Sequence, residues 1–192
     1  MIASHSNWAT RFGPYAAMLA GAIWLPLWAQ QMQSHGTTQT NEKLLFLGLT
    51  WMDAGKFYVM PFLLLMVTIA GLEAARAGAG RIGKPALFVL AAFACLAIGT
   101  ALEFWGFPFG SYQVTFEGGM KDTWWLQLAG TFFLTAALLP FGIQHARAGT
   151  LPAWMVPVLV FGGLSTVYLS PSFFVPGIVW ILLGFVLLRQ RR

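Results

Sequence analysis

The chain has 192 residues, of which 58% are hydrophobic and only 9% charged, with a net charge of +5 and a mean hydropathy of +0.70. Soluble domains carry about 25% charged residues, so seventeen charges here are too few to solvate a globular surface. The positive balance does not indicate nucleic acid, because no basic run is long enough to track a phosphate backbone. The lone Cys95 excludes an internal disulfide and reads as a small hydrophobe.

A bilayer core of about 30 Å needs roughly 20 apolar residues in a helix. In chain order the apolar runs predict an all-α, polytopic membrane bundle of about six transmembrane helices. The spans are expected at about 12–31, 57–75, 85–105, 123–144, 150–169 and 172–189, forming a single domain. The first run follows a largely polar start, Met1–Arg11, and lacks a cleavage motif. It reads as a retained span, not a removed signal peptide. Residues 42–56 contain an apolar stretch too short to cross, expected to lie in the outer interface. The last two spans come from one charge-free run of 41 residues, Ala148–Leu188, divided at Ser170-Pro171-Ser172 on turn chemistry.

With the N-terminus inside, Arg11, Arg76, Arg81, Lys84, Arg147, Arg189, Arg191 and Arg192 are inside and only Lys43, Lys56 and Lys121 outside. This positive-inside pattern puts both termini on the cytoplasmic side of the inner or plasma membrane. Trp24, Trp28, Trp124, Trp125 and Trp154 are expected at the headgroup belts. Pro26, Pro61, Pro140, Pro157 and Pro176 lie in or near spans, where proline is expected to bend a helix. Ala16, Ala20, Gly21, Gly162 and Gly163 suit close helix approach.

The chemistry-bearing residues are few. His5, His35 and His145 are terminal, in a loop or at a span end, so no axial-histidine haem site is expected. No metal or nucleophile motif appears. The best candidate is Glu103, an acid at the edge of an apolar run. Such a group is costly in hydrocarbon and is read as functional by default, here as a general acid. Asp53, Lys56 and Trp51 bracket the interfacial stretch and, with Trp105, Phe107 and Tyr112, are candidate ligand contacts on the outer side. The alternative for Asp53 is a helix cap. Trp180, near mid-span, carries an indole N–H that needs a partner or a ligand.

Glu103-x-x-Gly106 followed by Phe107-Pro108-Phe109-Gly110-x-Tyr112 resembles a pattern in the hydratase-type membrane proteins of carotenoid biosynthesis. The resemblance covers about ten residues and implies Glu103 as proton donor in an isoprenoid-modifying enzyme. The architecture alone is similar to the substrate-binding components of vitamin importers. Three functions therefore stay open. The first is binding of an apolar or amphipathic ligand, or service as an accessory subunit of a larger membrane complex. The others are a carotenoid-modifying enzyme and an importer component. Bound lipid, carotenoid or quinone is the cofactor class such an interior admits. The expected partners are the bilayer and other membrane subunits, with no nucleic acid.

Overall fold

A computed structural model describes residues 8–34, 48–49, 51–77, 82–105, 120–166 and 174–190. Apart from turns and short links, the described residues are helical, without a strand. The helices are α1 Trp8–Ser34, α2 Trp51–Lys56, α3 Val59–Ala77, α4 Lys84–Phe104, α5 Met120–Arg147, α6 Met155–Leu164 and α7 Phe174–Arg189. Three of them, α3, α4 and the Leu126–Arg147 part of α5, are long and apolar enough to cross a membrane. At 1.5 Å per residue, α6 and α7 are shorter, with 10 and 16 residues. The dividing turn at Ser170–Ser172 lies outside the described residues, as does most of the interfacial stretch before Gly48.

The six longer helices close into a ring in chain order. Each packs on the next, α1 on α3, α3 on α4, α4 on α5, α5 on α6 and α6 on α7, and α7 returns to α1. Sequential neighbours of this kind alternate in direction. One end of the ring therefore gathers the start of α1, the end of α3, the start of α4, the end of α5 and the end of α7. Arg11, Arg76, Lys84, Arg147 and Arg189 all belong to that basic end. Lys56, Asp53 and Glu103 belong to the other.

The interior is apolar and aromatic. Phe93 of α4 and Trp180 of α7 meet across the ring, edge to face, at 5.9 Å between centroids. Trp24 stands edge-on to Phe62 at 5.2 Å. Around them pack Leu65, Leu96, Leu134, Leu138 and Leu159. Trp24 was expected at the headgroup belt. It is instead 2% exposed, because α1 is covered by neighbours on that face. Neither the Trp24 nor the Trp180 indole N–H has a partner among the described residues. Trp154 is exposed. The side chains of Trp28, Trp124 and Trp125 lie outside the described residues.

Large apolar side chains also point outward along the ring, among them Leu63, Phe88, Phe132, Phe133 and Phe185. Only 39–44% of the most apolar stretch of α3, α4 and α5 is buried. Small residues serve contacts within the chain. A methyl group at Gly21 would sit 2.3 Å from the Gly177 carbonyl oxygen, and one at Gly184 would sit 2.4 Å from that of Pro14. These positions let α1 and α7 touch backbone to backbone. Gly162 and Gly163 instead receive side chains, of Val179 and Leu138 respectively.

The prolines divide into two kinds. Pro61, Pro157 and Pro176 are each the third residue of their helix. The N–H groups of a first turn have no intrahelical acceptor, so proline there costs no bond and starts the helix. This corrects the expectation that all five bend spans. Of the five, only Pro26 and Pro140 stand inside a helix, as does Pro14.

Candidate functional site

At the end away from the basic residues, the chain supplies the groups expected from sequence, but they do not converge on one point. Lys56 donates to Asp53 at 3.0 Å within α2, and both side chains are nearly half exposed. A pair so hydrated contributes little. Asp53 lies in the first turn of α2, not at the start of α3. Trp51 is the first residue of α2. The Trp105 indole N–H donates to the Lys56 carbonyl at 3.0 Å and so pins α2 to the end of α4. Gly55 faces the Phe104 ring, leaving no space for a side chain. Beneath it, the Tyr58 hydroxyl donates to the Leu27 carbonyl at 2.9 Å, and its ring packs on Phe104.

Glu103, beside Phe104 on α4, accepts a hydrogen bond from the Gln127 amide of α5. Trp180 is buried in the core against Phe93, remote from α2. Phe107 and Tyr112 lie outside the described residues, and with them most of the motif that resembles the carotenoid hydratases. Among the described residues no three His, Cys, Asp or Glu side chains come together as metal ligands.

The basic end holds the larger polar assembly. Glu73 on α3 is 2% exposed and His145 on α5 is fully buried. The Glu73 carboxylate accepts from the Gly83 backbone N–H at 2.7 Å. Arg76, one helical turn on, donates from Nε to both carboxylate oxygens at 3.2 Å and from Nη2 to one of them. His145 Nε2 lies 3.2 Å from the second oxygen. With the Gln144 amide oriented oxygen-first, it accepts from Arg76 Nε at 2.9 Å. One carboxylate thus ties α3, the start of α4 and the end of α5.

The chain then reverses through Gly149, whose φ of +73° is a conformation glycine adopts freely. That turn carries Thr150 back to His145, placing its hydroxyl 2.7 Å from Nδ1. A neutral imidazole with Nε2–H donating to Glu73 leaves Nδ1 as an acceptor, and the one proton of the Thr150 hydroxyl is then shared between Nδ1 and the His145 carbonyl oxygen 3.1 Å away.

Thr150 also forms part of the wall of a cavity of about 240 Å³ between α1, α3 and α7. Thr10, Gly13 and Pro14 line it from α1, Thr68, Gly71 and Leu72 from α3, and Leu187 and Gln190 from the far end. Its lining is mixed, with hydroxyl and amide groups above leucine. Thr68 donates to the Gly13 carbonyl at 3.0 Å and so holds α1 on α3 at the cavity floor. Gly71 lets α1 come close, since a Cβ there would meet the Ala9 carbonyl oxygen at 2.2 Å. The Glu73–His145–Thr150 chain therefore ends on the cavity wall.

Sequence reasoning placed His145 at a span end and did not join it to Glu73. The available signal was Glu73 itself, an acid within an apolar helix with arginine three residues later. Comparison with known protein families, with curated proteins and with solved structures finds no match.

Proposed function

We propose that this chain is an integral membrane protein that crosses the bilayer six times, with both termini cytoplasmic. In this reading it binds the polar end of a small amphipathic molecule in the cavity at its basic end. The outward phenylalanines and leucines support insertion, since monomeric soluble proteins rarely present contiguous apolar surface on that scale. Five cations at one end, against Lys56 and Lys121 at the other, support the orientation.

The cavity carries the ligand reading. It is polar at Thr10, Thr150 and Gln190 and apolar at Leu72 and Leu187; in the six-span reading this end of the bundle meets the headgroup level. Its volume equals about eight water molecules in the liquid. That suits a headgroup or a small molecule and is too small for a whole long polyene. The carotenoid alternative would use Glu103, which has Gln127 as its partner at the opposite end.

The test is to fill the cavity. A Cβ at Gly13 would meet Thr68 at 3.6 Å, an ordinary contact, so Gly13→Ala should leave binding intact. Gly13→Leu puts a branched side chain into the space. Mass spectrometry of small molecules extracted from the purified proteins should show a specific compound with the wild type and Gly13→Ala, reduced at least ten-fold with Gly13→Leu. Equal recovery from a folded Gly13→Leu protein, or no compound above bulk lipid with the wild type, would refute the reading.

A further inference from the structure

On the opposite side of the basic end, α4 and α5 leave an outward groove with an open volume of about 300 Å³. Phe88 on α4 and Phe133 on α5 form its walls, at 60% and 61% exposure. Ala136, Ala137 and Pro140 form a floor too shallow to fill it, and Lys84 stands at its mouth. The α5 residues recur at 133, 136, 137 and 140, one continuous stripe of a helix. The groove is apolar along its length and cationic at one end. Lys84 has no carboxylate partner among the described residues, and the nearest buried acid, Glu73, is already engaged by Arg76 and the Gly83 N–H.

We propose that this groove binds an anionic phospholipid of the cytoplasmic leaflet, one acyl chain lying between Phe88 and Phe133 and the phosphate on Lys84. The proposal rests on the membrane-spanning reading above. Charge selects this occupant. A second copy inserted in the same orientation would bring its own basic end to Lys84, like charge against like. A free phosphate ion would make no use of the apolar floor. The lipid matches both features, since an ammonium at the headgroup level attracts anionic lipid and the chain fills a gap that packing within the protein leaves open.

The test uses the full chain in nanodiscs of equimolar phosphatidylglycerol and phosphatidylcholine with identical acyl chains, with retained lipids counted by native mass spectrometry. The wild type should retain phosphatidylglycerol preferentially. Lys84→Gln should reduce that preference about five-fold, the factor one cation contributes at an anionic surface, and Lys84→Arg should keep it. Ala136→Phe, at an exposed position, should remove retention of both lipids while leaving the thermal midpoint unchanged.

The proposal is overturned by equal retention of the two lipids in the wild type, or by a preference that survives Lys84→Gln. It is equally overturned by phosphatidylglycerol that stays bound to Ala136→Phe, or by its displacement with millimolar inorganic phosphate. A dimer abolished by Ala136→Phe would assign the groove to a second copy instead. If the chain fails to enter bilayers at all, this proposal and the proposed function fall together. If the Gly13→Leu result holds and the lipid preference is absent, only this one falls.

Discussion

Glu73→Leu should lower the stability of the folded protein by about 2–6 kcal/mol, the cost of leaving two buried hydrogen-bonding groups without their acceptor at about 1–3 kcal/mol each. The carboxylate is 2% exposed and serves three donors at once, Arg76, the Gly83 N–H and His145. Leucine occupies a similar volume but accepts nothing. Arg76 is partly exposed and can turn its guanidinium toward the headgroups, so its share of the loss is small. The Gly83 N–H and the fully buried His145 cannot move out, and they carry most of the penalty. Glu73→Gln keeps one acceptor oxygen for Gly83 and should cost less, about 1–3 kcal/mol. Unfolding by a denaturing detergent, followed by tryptophan fluorescence, measures the order wild type, Gln, Leu. A Glu73→Leu protein within about 0.5 kcal/mol of the wild type would show that the network contributes nothing to stability. The Glu73→Leu/His145→Leu double variant completes a cycle, and contacting groups of this kind should couple by 0.5–3 kcal/mol.

What the sequence discloses follows from which forces are local. Apolar runs without charge announce helices such as α3 and α4, because hydrophobic length and helical rise are properties of consecutive residues. Helix ends are less visible. Helix α1 begins at Trp8 and α5 continues to Arg147, both beyond their charge-free runs, since backbone hydrogen bonding continues through polar residues once a helix is nucleated. Proline shows the same limit. The residue type marks Pro61, Pro157 and Pro176 as special, but only the helix start decides that they initiate and do not bend.

The basic-end site was hidden for a different reason. Glu73 and His145 are 72 residues apart, and nothing in either helix alone indicates that they meet. Their contact depends on ring closure, on the short link that brings the Gly83 N–H beside α3, and on the turn at Gly149. Trp24 was misplaced for a related reason. An indole near a span end is equally suited to the headgroup level and to the core, and the covering face of α1 is a tertiary fact.

Ring closure itself is exposed to one substitution. Gly21 and Gly13 lie on the same helix, yet Gly→Ala should act oppositely at the two. At Gly13 a methyl group meets Thr68 at 3.6 Å, so Gly13→Ala should be neutral or stabilising by up to about 1 kcal/mol through helix propensity. At Gly21 it would lie 2.3 Å from the Gly177 carbonyl oxygen and 2.9 Å from the Ile181 backbone nitrogen. Backbone cannot rotate aside as a side chain can, so α1 and α7 must separate. Overpacking typically costs 1–3 kcal/mol, and Gly21→Val should reach about 3 kcal/mol or more because its second and third carbons meet the same wall. The α1–α7 contact is where the ring closes, and the cavity is bounded by both helices through Thr10, Gly13, Leu187 and Gln190. Separation there should widen the cavity as well as weaken the fold. Gly21→Val is therefore expected to lose the co-purifying molecule and to unfold at lower detergent fraction, while Gly13→Ala keeps both. A Gly21→Ala protein as stable as Gly13→Ala would mean that α1 and α7 do not approach backbone to backbone, and the closed ring would have to be abandoned.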